Sequence, residues 1–244
     1  MRRAALLVFA LASVVDAAGA AAVTLKATLI GPQDDPRLER ARLERATLGH
    51  PGGPAADGVQ LALADAGFEL EAAGAAIALS QAPARSVESA RAAAIAAEKG
   101  GAALILTDLP ADWTLAVADA VTLPVLNLGA PDDRLRQQDC RPRLLHLLPS
   151  ERMRADAIAQ ALVSRKWSKL LLLVGPSAPD QQRAAAAQAS IKRYGLQLVD
   201  TRPFKLSTDP RERALANPLL LTTGQNYDAV WVVDTDGEFA RGLP

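Results

Sequence analysis

The chain is short of several things that would narrow its function directly. It has one cysteine, so no disulfide can form within it and a packed core must hold the fold. Aromatic residues make up only 4%. Alanine is abundant instead, which favours helices packed closely on sheets. No long basic run occurs and the formal net charge is zero, so the electrostatic footprint of a nucleic-acid binder is missing. There is no G-x-S-x-G nucleophile elbow, no G-x-G-x-x-G and no Walker A motif. Serine-hydrolase chemistry and dinucleotide or NTP binding therefore lack sequence support. No apolar run reaches the ~20 residues of a spanning helix.

What is present begins with a leader pattern. Arg2 and Arg3 form a positive start, Ala4 to Val15 is largely apolar, and DAAGAAA offers small-residue cleavage sites after Ala20 or Ala22. This predicts a secretory signal peptide over 1–22 and export to the periplasm. No cysteine stands at the cleavage site to carry a lipid. Removing the leader leaves 25 basic and 26 acidic side chains, a nearly neutral mature protein.

From Val23 on, short apolar runs alternate with alanine-rich helical stretches. Strands are predicted at 24–31, 75–79, 102–107 and 124–129, with helices at 58–67, 86–100 and 111–121 between them. Ser86 is the expected N-cap and Gly100 the stop of the second helix. AALILT (102–107) is continuously apolar, as in strands buried on both faces. The pattern restarts near residue 150. Pro149-Ser150 leads a helix with Ala155, Ile158 and Leu162 expected on its buried face. KLLLLVG (169–175) is a second buried strand, followed by a helix over 180–194 and a strand over 196–202. A helix through 210–222 and the strand AVWVV (229–233) complete the pattern. Alternation of this kind implies an α/β protein with parallel sheets and helices on both faces. The restart predicts two lobes, the second with few strands, so a chain shortened at its C-terminus is expected.

Few residues advertise chemistry. Cys140 and His146 lie six residues apart, with Asp139 beside them. The spacing matches no zinc pattern and says nothing of spatial contact. The plain reading makes Cys140 a small buried hydrophobe and His146 a polar residue on a half-buried strand. The strand-to-helix turns LIGPQDDP, LTDLPADW, NLGAPDDR, VGPSAPDQ and VVDTDGEF share small residues, proline and aspartate. Ligands of open parallel sheets bind where such turns lie, although aspartate and proline there also cap helices. The paired acids Asp34/Asp35, Asp132/Asp133 and Asp234/Asp236 would favour a cationic group or simply complement helix starts. The arginine-rich run 37–54 reads as a solvated helix or surface excursion, with a partner-docking face as the alternative.

Taken together, GVQLALADAGF, PVLNLGAPDDRLR and PSERMRADAIAQALVSRKWSKLLLLVGP resemble the type I periplasmic solute-binding proteins, above all those of branched-chain amino acid ABC transporters. DDPR (34–37), NLGAPDDRLRQQDCR (127–141), LLHLLPSERMRADAIAQ (144–160) and NPLLLTTGQNYDAVWVVDTDGEF (217–239) are similar to a narrower group. These are substrate-binding proteins associated with PQQ-dependent alcohol dehydrogenase systems. Members of that group are longer than this chain.

The resemblance implies a two-lobed type I periplasmic-binding-protein fold: an N-terminal lobe over 23–148 and a C-terminal lobe, incomplete here, over 149–244. It implies binding without chemical change, no cofactor and no metal. A small-molecule ligand would sit between lobes that close by hinge bending, and the closed form would dock on an inner-membrane ABC permease. Carried over by position, the ligand-binding residues are Thr107 and Asp108, then Asn127, Gly129 and Ala130, and from the second lobe Gly175, Asp234 and Asp236. Pro131 falls where the amino-acid binders place a threonine hydroxyl, and VGPSAPDQ has no tyrosine, so a standard amino acid is not the expected ligand. The alternative is a periplasmic accessory protein that binds a quinoprotein dehydrogenase or another protein.

Overall fold

The computed structural model describes residues 23–35, 53–224 and 226–242. The leader and the arginine-rich run up to residue 52 lie outside them. Among the described residues, eight parallel strands form two sheets, each built around a strand that the sequence makes continuously apolar.

The first sheet has the order β2-β1-β3-β4-β5, with β1 at Val23–Pro32, β2 at Ala75–Ala84, β3 at Leu104–Thr107, β4 at Val125–Asn127 and β5 at Leu144–His146. Strand β1 pairs with β2 from Val23↔Ala75 to Pro32↔Ala84 and with β3 from Ala27↔Leu104 to Ile30↔Thr107. Period-two alternation sends Ile30 and Ile105 to one face and Ala27, Leu29 and Leu106 to the other. Helices α3 (Val87–Lys99) and α4 (Ala111–Ala120) cover the first face. Helix α1 (Ala55–Asp65) packs on the second through Ala56 and Val59, and the short α2 (Gly67–Ala72) continues from it. As the sequence predicts, Ser86 caps α3 in a reciprocal bond with Ser89, and Gly100 ends it. Gly101 then takes the left-handed conformation, φ 79°, that turns the chain into β3.

The second sheet has the order β7-β6-β8, with β6 at Lys169–Val174, β7 at Gln197–Pro203 and β8 at Ala229–Val233. Leu170 to Leu173 are each fully buried at its centre. Each contributes about 1.5–3 kcal/mol by leaving water. Helix α6 (Ala178–Arg193) packs Ala184 and Ala187 on the Leu172–Val174 face. The opposite face takes Phe204, Leu221 and Phe239, with the two phenyl rings stacked 4.1 Å apart. The chain passes between the sheets through α5 (Glu151–Ser164), which is capped by Ser150 and packs on α6.

Three expectations need correction. Ile158 is exposed, and the inner stripe of α5 is Glu151, Ala155 and Ala159. Ala155 and Ala159, small side chains one turn apart, let α5 lie close to α6, and this turns Ile158 outward. The helix expected through 210–222 is instead a 3-10 turn (Pro210–Glu212) and two one-turn helices, α7 (Arg213–Ala216) and α8 (Pro218–Leu221). Pro218 has no N–H to continue the ladder, and Asn217 starts a fresh turn by accepting from the Leu219 N–H. Cys140 is exposed rather than buried. It sits in a turn whose neighbours Asp139 and Arg141 point to ion-pair partners, so the backbone there runs along the surface.

Candidate functional site

The turns at the carboxyl ends of the strands hold all eight residues singled out from the sequence, and they fall into two groups. In the first sheet Thr107 ends β3 between Ile30 and Asn127 of its neighbours. It is fully buried, and its hydroxyl reaches the Leu126 carbonyl only at 3.5 Å. Asp108 follows it and lines a hollow of about 180 Å³ with Gly31, Pro32, Pro54, Gln81 and Pro83. This hollow gathers the ends of β1, β2 and β3 and the start of α1.

Asn127 is also fully buried, and both ends of its amide are used inside the protein. Its Oδ1 accepts from the backbone N–H groups of Gly129 and Ala130, at 3.1 and 2.9 Å. Its Nδ2 donates to the Ala130 carbonyl at 2.7 Å and to His146 Nδ1 at 3.0 Å. The side chain is a clamp that shapes the turn after β4. Gly129 lies against the neighbouring turn: a Cβ there would stand 2.5 Å from Asp108 Oδ1 and 2.8 Å from the Leu109 nitrogen. Ala130 is buried beneath the clamp. Thr107, Asp108, Asn127, Gly129 and Ala130 thus form one cluster.

The second sheet brings together Gly175, Asp234 and Asp236. The Gly175 N–H donates to the Val233 carbonyl at 2.9 Å, which joins the end of β6 to the end of β8. Asp234 accepts from the Ala240 N–H at 2.9 Å. Burial, with Asp236 close by, pushes the Asp234 carboxyl above the usual carboxylate range. Beside it, a second hollow of about 190 Å³ is lined by Glu151, Arg154, Arg183, Trp231 and Asp234. The buried Glu151 carboxylate accepts from Arg183 at 3.2 Å and Arg154 at 3.4 Å, so both arginines of this hollow are paired with it.

The residue that organises the second group is Asp180, which sequence reading left unassigned. It is buried under Gly175, and its carboxylate receives donors from Ser177 and Thr235. The S-x-x-D spacing of Ser177 and Asp180 is a capping-box signal that announces its local role. Its reach to Thr235, 55 positions away, has no local signature.

The stretch around Cys140 holds a structural network instead of reactive groups. Asp139 pairs with Arg134 at 2.9 Å, and His146 Nδ1 is occupied by Asn127. Among the described residues no group of three or more His, Cys, Asp or Glu side chains is arranged to hold a metal ion. Burial, with the nearby Arg136 guanidinium, pushes the His146 imidazole below its usual range.

The described residues superpose on solved structures of ABC-transporter substrate-binding proteins. The fold is that of a type I periplasmic binding protein. An ABC transporter substrate-binding protein from Desulfitobacterium hafniense superposes with a TM-score of 0.60 at 15% identity, over 87% of this chain and 59% of its own. The leucine, isoleucine, valine, threonine and alanine-binding protein of Brucella ovis gives 0.56 at 17%, over 86% and 53%. A solute binding protein of an ABC transporter from Rhodopseudomonas palustris BisB5, in complex with 3,4-dihydroxybenzoic acid, gives 0.54 at 15%, over 86% and 54%. This chain therefore spans between about half and three-fifths of the length of these structures. No protein-family model matches the sequence, and no curated protein does.

Proposed function

We propose that the chain is the periplasmic solute-binding component of an ABC transporter, exported by residues 1–22. Its lobes, 23–148 and 149–244, take a small molecule between them. The observation that carries this reading is the grouping of small, polar turns at the carboxyl ends of both parallel sheets, within a type I fold. Asp108 and Gly129 form the contact surface of one wall, and Ala130, buried with its N–H and carbonyl bonded to Asn127, shapes that wall from beneath. Gly175, Asp234 and Asp236 form that of the other. Thr107 and Asn127 take part by shaping their turns, since their polar atoms are committed inside the protein. Closure on the ligand creates the surface that an inner-membrane permease reads.

The narrower part of the proposal links this transport to PQQ-dependent alcohol oxidation, and its support is the sequence resemblance around 127–160 and 217–239. The test is titration calorimetry and thermal shift on the protein. The panel is leucine, 3,4-dihydroxybenzoic acid, aliphatic and aromatic alcohols with their acids, and PQQ. A true ligand at 100 times its Kd stabilises the fold by about 2.7 kcal/mol. Binding of an alcohol, its acid or PQQ supports the narrower link, and binding of leucine alone removes it. No response from any of them, together with a quinoprotein dehydrogenase retained from periplasmic extract, replaces transport with the accessory role.

A further inference from the structure

One buried amide holds the turn after β4, and a histidine holds the amide. Asn127 spends both lone-pair directions of Oδ1 on the N–H groups of Gly129 and Ala130. That fixes which end of the side chain is nitrogen, so Nδ2 must be the donor toward both the Ala130 carbonyl and His146 Nδ1. His146 Nδ1 is then an acceptor and carries no proton. A neutral imidazole whose Nδ1 accepts carries its proton on Nε2.

The surroundings oppose a second proton. Arg136, in the 3-10 turn Asp133–Arg136, is the charged side chain that bears on the ring among the described residues, and Asp133 bears in turn on Arg136. From β4 the ring meets only the neutral Asn127 amide. Arg136 Nη2 donates to the Leu148 carbonyl, while Nη1 is buried with no hydrogen-bond partner among the described residues. An imidazolium would add a second cation beside this under-satisfied one.

The same turn is tied to the helix that crosses to the second sheet. The Pro131 carbonyl accepts from the Glu151 N–H at 3.0 Å, and the Asp133 carboxylate accepts from the Arg152 N–H at 3.2 Å. The clamp, the turn and the first turn of α5 are therefore one connected unit.

We propose that His146 is a proton-sensitive latch, whose protonation releases Asn127 and loosens both the turn after β4 and its tie to α5. A proton on Nδ1 sets a donor against the Asn127 Nδ2 donor. Rotating the amide to offer Oδ1 to the ring strips the acceptor from Gly129 and Ala130. Either way a buried bond is lost, and none of the groups that face the ring replaces it. The loosening requires no ligand; its consequence, weaker solute binding in acid, rests on the binding reading above.

The experiment is NMR on the full-length protein. The His146 ring is titrated, and amide exchange at Gly129, Ala130 and Glu151, corrected for intrinsic pH dependence, is followed from about pH 8 to about pH 5. His146→Gln identifies the ring signals, because His50 is the chain's other histidine, and supplies a neutral acceptor for Asn127 at every pH. Protection at these three amides is expected to fall about tenfold or more across the wild-type titration. Its midpoint should coincide with that of His146 and lie below the free-histidine value, and the profile should be flat in the variant. An equal profile in both proteins overturns the proposal. If His146→Gln does not fold, the wild-type midpoints decide alone: amide shifts of Gly129 and Ala130 that ignore the His146 titration overturn it. Failure of every candidate solute leaves this measurement untouched.

Discussion

Thr235 donates both its backbone N–H and its hydroxyl to a single oxygen of Asp180, at 2.7 and 2.6 Å. The other oxygen receives the Ser177 N–H at 3.1 Å and the Ser177 hydroxyl at 2.5 Å. One buried carboxylate thereby joins the turn after β6 to the turn after β8, the two segments that bear the second-sheet candidates. Four donors around a single carboxylate leave no room for an isosteric amide.

Asp180→Asn should therefore cost about 2–3 kcal/mol, because its Nδ2 would face two donors left unsatisfied in a buried site. Urea unfolding measures the loss. If Asn is tolerated with no change in midpoint, the strut is not what holds these turns.

The same carboxylate sets an acid limit. Burial alone would raise it, but the bonds from Ser177 and Thr235 outweigh burial and hold the Asp180 carboxyl below the usual range. A lowered folded-state value means that the unfolded chain takes up protons first. The contribution is present above about pH 4 and is lost as pH falls through the folded-state value. Unfolding midpoints of wild type and Asp180→Asn should converge at low pH.

Asp234 has the opposite sign. Burial, then Asp236, raises its carboxyl, so the folded chain is the one that holds the proton longer. Its ionisation opposes folding as pH rises from about 4 through the folded-state value. Asp234→Asn keeps an oxygen for the Ala240 N–H and removes the like charge. It should raise the melting temperature at neutral pH and leave it unchanged below about pH 4, which a pair of thermal scans will show. A lowered melting temperature at neutral pH would mean the charge is stabilised by something else.

Gly129→Ala places a methyl group against Asp108 and the Leu109 backbone, where a Cβ has 2.5 to 2.8 Å of room. One of the two turns must move, at about 1–3 kcal/mol. Thermal unfolding reports the cost, and chemical shifts at Asp108 and Leu109 report the displacement. Unchanged shifts would mean the turns do not touch in solution.

The core offers a control for scale. Leu172→Ala empties a fully buried position between β6 and α6 and should cost about 2–5 kcal/mol. Leu219→Ser, at a position 66% exposed, should stay within about 0.5 kcal/mol. Similar losses for both in urea unfolding would argue against the second sheet having a core of its own.

Much of this fold could be read from the chain. Leu170 to Leu173 identify a strand buried on both faces, because no single-faced strand can carry four successive leucines. Ser86 and Gly100 mark the ends of α3, since a serine hydroxyl and a glycine satisfy helix ends locally. The alternation of strands and helices required parallel sheets. Where the reading slipped, the deciding contact was not local. Periodicity turns Ile158 inward, but the close approach of α5 to α6 selects the stripe that holds Ala155 and Ala159.

The candidate site divides along the same line. Its general location follows from sequence, because turns at the ends of parallel strands are where small and polar residues gather. Which atoms are available was decided only by tertiary structure. Asn127 reads as a ligand contact at the end of a strand until His146, 19 positions on, pairs with it across β4 and β5. Asp180 reads as a helix cap until Thr235, 55 positions on, arrives at the end of β8. Hydrogen bonding is short-ranged and directional, so a side chain's partners depend on which strands lie side by side, and strand order is not encoded in any local stretch.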